Sequence, residues 1–205
     1  MKLAVRPLTL SALTLALAGV AVPSFASAAT VDTSGCGTQV FTQALSVFGD
    51  TNLYGLAPQG SFEGVVSGWT VNGTAKVVAD PAFPTGPVAD KYSLEIAAGT
   101  KVISPPICAN TSTPGFRLFM KAPANSVPNA ATVDVGYLST SGADVHKAAL
   151  IKPTAGAWGL TAVVQVDTTK IALDSTGWGR IRIAVVAPGN TAMRIDDLYV
   201  DPKMR

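Results

Sequence analysis

The sequence predicts an all-β fold, a sandwich or a barrel, forming one domain behind a cleaved leader. Three observations carry this. From Phe62 onward, short β-prone runs are separated by "DPAFPTGPVAD", "APANSVPN" and "STSGAD", all dense in Pro, Gly, Asn, Asp and Ser. Several runs alternate: Arg180 and Arg182 share one face of "GRIRIAVV" and Ile181 and Ile183 the other, while Val133, Val135 and Tyr137 share a face of "ATVDVGYL". The composition is poor in charge and rich in Val, Ala, Thr, Gly and Pro, which suits strands better than helices.

In chain order, residues 1–28 read as a signal peptide. Lys2 and Arg6 form a basic n-region, Leu8 to Val22 an apolar core, and Ala26-Ser27-Ala28 a cleavage site. Cys36 lies well past that core and lacks a lipoprotein context. The protein is therefore expected outside the cell, with no transmembrane segment once the leader is removed. Cleavage takes two of the 15 basic residues and none of the 13 acidic ones. The balanced remainder offers no basic patch for nucleic acid.

About 177 residues follow, enough for one core and too few for two. Cys36 and Cys108 are an even pair in an oxidising destination and predict a disulfide; two buried thiols are the alternative. Residues 29–60 read as an N-terminal arm, and 38–49 is the one modest helix candidate. Residues 61–205 make the sandwich. Within it, "WTVNGTAKVV" predicts a hairpin turning at Asn72-Gly73. The runs "YSLEIA", "KVISPPI", "FRLFMKA", "ATVDVGYL", "HKAALIK", "LTAVVQV", "GRIRIAVV" and "AMRIDDLYV" follow, and Pro105-Pro106 marks a strand's exit.

The last run contains adjacent carboxylates. Strict alternation places Arg194, Asp196, Leu198 and Val200 on one side and Ile195, Asp197 and Tyr199 on the other. One aspartate then sits at least partly out of water, where it needs a cation, an arginine or backbone N–H donors.

"GSFEGVVSGW" (60–69) at one end and "RIDDLYVD" at the other resemble carbohydrate-binding modules of the galactose-binding-domain-like group. The resemblance covers about residues 60–203 and implies an antiparallel jelly-roll β-sandwich with a short N-terminal arm. It also implies a structural Ca²⁺ held by Glu63 and Asp196, oxygen ligands suited to a hard cation. Backbone amides or an arginine, Arg194 or Arg182, are the alternative partners for those carboxylates. "GDTNLYGLAPQGSFEG", "SLEIAAGTKVISPPIC", "FRLFMKA" and "IDDLYVDP" are also similar to a family of small secreted bacterial proteins of unassigned function.

The inventory of reactive groups argues against an enzyme. No GxSxG or phosphate-binding glycine loop occurs, and His146 is the single histidine, with Asp144 two residues before it at a solvated hairpin end. The lone histidine and two distant cysteines exclude a zinc site. Glu63 and Glu95 are the only glutamates, and Glu95 alternates outward. The function expected is non-catalytic binding of a glycan or cell-envelope polysaccharide. The alternative is a structural or protein-interaction component of the cell surface. Trp178, in the turn "TGWGR", is the candidate sugar platform. Tyr54 and Tyr92 are weaker candidates, whereas Trp69 and Trp158 read as packed.

Overall fold

Alternating burial along the chain is realised as two stacked sheets. The computed structural model describes residues 32–64, 66–83 and 90–201; the leader lies outside these residues. The arm contributes β1 (Phe41–Thr42) and β2 (Tyr54–Leu56). Next come β3 (Thr70–Asn72), β4 (Ala75–Val78), β5 (Ser93–Ile96), β6 (Lys101–Ile103) and β7 (Ile107–Ala109). The longer strands are β8 (Gly115–Ala122), β9 (Ala131–Ser139) and β10 (Gly142–Ile151). The short β11 (Thr154–Ala155), β12 (Gly159–Leu160) and β13 (Val164–Gln165) lead to β14 (Gly179–Val186) and β15 (Met193–Asp201).

β15 is central to the first sheet. One side of it pairs with β8 along most of its length, and the other pairs first with β5 and then with β2. β4 extends the sheet beyond β5, β1 beyond β2, and β11, β12 and β13 lie along β8. The second sheet runs β10-β9-β14-β6-β3, with β7 also beside β14. All pairs are antiparallel except the two-residue β11–β8 bridge.

Between the sheets lies the main core, built on Leu94, Ile96, Val102, Phe116, Leu118, Val133, Val135, Ile181, Ile183 and Ile195. These are the inward sets of the alternating runs, which turn an apolar face to the core. A second cluster occupies the outer side of the first sheet. There Ala44, Leu45 and Tyr54 of the arm cover Phe119 and Tyr199. Arg117, on the same outer side, donates to Asp50 at 2.8 Å, and Tyr54 Oη donates to that carboxylate at 2.6 Å. Cys36 and Cys108 form the disulfide, joining the arm to β7.

Three local expectations are overturned. Asn72-Gly73 is not a hairpin: β3 pairs with β6 in the second sheet, while β4 pairs with β5 in the first. The turn is a corner between sheets, held by Thr74 N–H donating to Thr100 Oγ1 at 3.0 Å. Gly73 has φ +124°, and a Cβ there would stand 2.4 Å from Thr100 Oγ1, so only glycine fits. The segment 38–49 is not an α-helix but a two-residue strand and a 3₁₀ turn over Ser46–Phe48. Its apolar residues Ala44 and Leu45 dock on Phe119, and that packing outweighs helical periodicity.

The third concerns β15. Its register against β8 shifts between Asp196 and Tyr199, three residues on β15 matching two on β8. Asp197 is the extra residue and takes φ +44°. The bulge reverses the alternation, so Leu198 and Val200 join Ile195 in the main core while Tyr199 faces the arm. Strict alternation placed Leu198 and Val200 with Asp196, and the bulge corrects it.

The bridge closes a loop across a separation of 72 residues. In the chain-entropy model that is worth about 4 kcal/mol. Replacing Cys36 and Cys108 with alanine is expected to lower the unfolding free energy by up to about this amount, measured by urea denaturation. The double variant should keep its far-ultraviolet circular dichroism, because the two sheets are held by strand pairing and core packing that do not depend on the bridge.

Candidate functional site

The bulge gathers carboxylates. Asp196 is fully buried and Asp197 is 4 % exposed. Ala82 N–H donates to Asp196 Oδ2 at 3.0 Å, and Asp197 N–H donates to Asp196 Oδ1 at 2.9 Å. Glu63 Oε1 accepts from the N–H groups of Lys91 and Tyr92, both at 2.7 Å. Backbone amides therefore serve both predicted residues. Arg194 instead pairs with Glu95 at 2.7 Å and with Asp80, and Arg182 lies on the other sheet, so neither arginine neutralises Asp196.

Asp90 links the two. Both of its carboxylate oxygens are buried, and among the described residues neither has a donor in hydrogen-bonding geometry. Burial, the Asp197 charge and the neighbouring Glu63 push its pKa up to about 7. Burial, with the charges of Asp197 and Asp90, pushes Asp196 up to about 9. Sequence reasoning missed Asp90; its position after the proline-rich loop carries no periodic signal. Among the described residues, no three acidic, histidine or cysteine side chains stand together as a ready metal site. The donor chemistry, oxygen alone with two oxygens lacking a donor, still suits a hard cation.

The aromatic candidates separate clearly. Tyr54, in the arm, is buried against Phe119 and Tyr199, and Trp69 lies within the main core, which removes Tyr54 as a platform. Tyr92 is 39 % exposed. Trp158 is half-buried, with the Lys121 ammonium 4.9 Å above its ring. Trp178 is half-buried in the turn that feeds β14, its backbone N–H donating to Asp174 Oδ1 at 3.1 Å. Phe48 and Phe83, 40 % exposed each, meet edge-on at 5.4 Å on the arm side.

His146 lies on β10, where Asp144 Oδ2 is 2.7 Å from its Nε2. His146 borders a cavity of about 330 Å³ that also meets Tyr137, Gln165, Asp167 and Lys170. Asp144 is His146's one hydrogen-bond partner among the described residues. That leaves the pair without the nucleophile a triad needs.

The two outer sheet faces differ. On the first, the arm covers one part, and a second cavity of about 330 Å³ is flanked by Glu95, Lys121 and Arg194. Those charges are already paired, Lys121 and Arg194 with Asp80 and Arg194 also with Glu95. On the second sheet, among the described residues, the arm reaches the outer face only at its β7 end, where Arg180 donates to the carbonyls of Asp32 and Ser34 and Cys36 bonds Cys108. Its register sets Val145, Gly136 and Arg182 in one row and Asp134, Ala184 and Ile103 in the next. A shallow cavity of about 100 Å³ opens there between Val145 and Ile103.

No protein-family model matches the chain, and no curated protein matches it in sequence. Solved structures do match in shape. One is the N-terminal endo-1,4-β-D-xylanase 10B of Clostridium thermocellum, CBM22-1–GH10 modules complexed with xylohexaose; it has 14 % identity and a TM-score of 0.51 over 71 % of this chain. The match spans 28 % of that protein's length. The CBM22-1 xylan-binding domain of Paenibacillus barcinonensis Xyn10C has 18 % identity and a TM-score of 0.46, over 70 % of this chain and 91 % of that domain. TmCBM61 in complex with β-1,4-galactotriose has 16 % identity and a TM-score of 0.43, over 72 % and 98 %. The chain thus has the β-sandwich fold of carbohydrate-binding modules.

The raised carboxylates set a pH dependence. In chelator, the unfolded aspartates ionise near about 4, whereas folded Asp90 and Asp196 hold their protons to about 7 and about 9. The folded state then binds more protons across that window, so stability falls as pH rises from about 4 toward 9 and levels above it. Thermal melts in EDTA between pH 5 and 9 should show the midpoint declining. A midpoint that rises across this range would mean the carboxylates are ionised in the fold.

Proposed function

We propose that this is a non-catalytic glycan-binding protein acting outside the cytoplasm. The observation that carries the reading is the outer face of the β10-β9-β14-β6-β3 sheet. Beyond its β7 end it is uncovered among the described residues and offers hydrogen-bonding side chains around a shallow hollow, while the arm covers part of the opposite sheet. Asn72 and Thr70 from β3 and Asp134 from β9 lie across it in register. Trp178 precedes β14 and would flank one end as an aromatic contact. The sandwich shared with xylan- and galactan-binding modules supports the reading as an analogy of fold. The disulfide supports an oxidising location, and among the described residues no helix is long and apolar enough to cross a membrane.

A structural Ca²⁺ is part of the proposal. Glu63 and Asp196 would hold it, with Asp90 supplying the oxygens that lack donors. The ion would let the cluster remain ionised at neutral pH. EDTA should then lower the melting temperature at pH 7.5 and added Ca²⁺ restore it, with Asp196→Asn abolishing the response. An unchanged midpoint on chelation and on Ca²⁺ addition would assign the neutralisation to protons.

One observation favours a second reading, a protein-contacting surface component. Phe48, Phe83 and Val47 leave apolar surface on the arm side. Retention of the oxidised mature protein on cellulose, chitin, xylan and isolated cell wall separates the two. Glycan binding predicts retention on at least one polymer, weakened about two- to tenfold by Trp178→Ala and unchanged by Phe48→Ala. Retention on none of them, with association between protein molecules lost in Phe48→Ala, would support the second reading.

A further inference from the structure

Four arginines lie among the described residues, and three are committed. Arg117 donates to Asp50 and to the Thr161 carbonyl. Arg180 donates to the carbonyls of Asp32 and Ser34 in the arm, both at 3.0 Å. Arg194 is held by Glu95 and Asp80. Arg182 differs: its Nε is buried and has no hydrogen-bond partner. A guanidinium partly removed from water without an acceptor is unfavourable, and such a group is expected to meet an anion when the protein is at work.

The surroundings narrow what that anion is. Arg182 sits beside the hollow whose floor is Gly136 and Ala184 and whose sides are Val145 and Ile103. Asp134, its acidic neighbour in the next row, is paired with Lys101 at 3.4 Å. That leaves the guanidinium charge uncompensated. The planar fork of a guanidinium fits a carboxylate through two parallel N–H···O bonds. About 100 Å³ admits a carboxylate and part of a sugar ring, and Val145 and Ile103 offer apolar contact to ring C–H groups. A hydroxyl of a neutral polymer would accept from Nε but leave the positive charge without a counter-ion. Resting on the glycan-binding reading above, we infer that the ligand of this face is a uronate-bearing polysaccharide and that Arg182 binds its carboxylate.

Polygalacturonate and its fully methyl-esterified form share one backbone and differ in that charge. Affinity electrophoresis of the oxidised mature protein in gels containing either polymer, or neutral xylan, tests the inference. The acid form should retard the protein at least about tenfold more strongly than the ester, and added salt should weaken the retardation. Arg182→Gln should lose about tenfold with an unchanged melting temperature. A second variant guards against misfolding: a Cβ at Gly136 meets nothing closer than Val145 Cγ2 at 3.7 Å. Gly136→Asp would therefore place a carboxylate next to Arg182 and block the polymer. Equal retardation by acid and ester overturns the uronate inference and leaves glycan binding standing. Retardation by the acid form that survives both variants overturns the role of Arg182. No retardation by any of the three polymers counts against the inference and the glycan reading together.

Discussion

The fold depends on one strand changing partners midway. β15 leaves β5 after Ile195 and meets β2 at Tyr199, while β8 follows it on the other side throughout. Between those partners the strand must bulge, and Asp197 supplies the extra residue at φ +44°. The chain returning from the arm fills the gap, with Ala57 N–H donating to the Leu198 carbonyl at 2.9 Å and Leu198 N–H to the Gly60 carbonyl at 3.0 Å. A Cβ at Gly60 would stand 3.1 Å from that Leu198 oxygen, which is why the approach needs a glycine. Through this exchange Leu198 and Val200 enter the main core and Tyr199 turns toward the arm. Without it the second cluster would have no floor.

The exchange also explains the charge burial. An unpaired stretch of strand leaves backbone groups to be satisfied locally, and the Asp196 carboxylate takes the N–H groups of Ala82 and Asp197 in that role. Two amides offset only part of the desolvation of a carboxylate with two acidic neighbours, Asp197 and Asp90. The remainder falls to protons or to a cation. The same geometry divides the labour of the two sheets. The first is committed to scaffold, its outer side given over to the arm, the ion pairs around Asp80 and the carboxylates of β15. The second meets the arm only at its β7 end among the described residues.

Much of this was legible in sequence, and the limits have physical causes. Alternation in "GRIRIAVV" and "ATVDVGYL" located Ile181, Ile183, Val133 and Val135 in the core, because both strands are regular and flanked on both sides. The even cysteine count foretold the bridge, and the pairing of "SFE" with "IDD" anticipated that Glu63 and Asp196 would share a region. The bulge was not legible: a positive φ at an aspartate is imposed by tertiary partners, and the alternation of "RIDDLYVD" gives no warning. Asn72-Gly73 misled because a turn motif records local backbone freedom, not which sheet receives the next strand. "LTAVVQV" reads as one strand but splits into β12 and β13, where Thr161 Oγ1 accepts from Leu118 N–H at 3.2 Å. Arg180 and Arg182 are equivalent by alternation. Only the placement of the arm shows that one is occupied and the other is not.

We propose the outer face of the β10-β9-β14-β6-β3 sheet, away from the arm, as the binding surface. Amide chemical-shift mapping of the ¹⁵N-labelled mature protein, titrated with an oligosaccharide of whichever polymer it retains, tests this most directly. The account predicts shifts concentrated on β6, β9 and β14, with the arm and the Phe48–Phe83 side unmoved. Shifts confined to the arm side, with β9 and β14 unchanged at saturation, would contradict it.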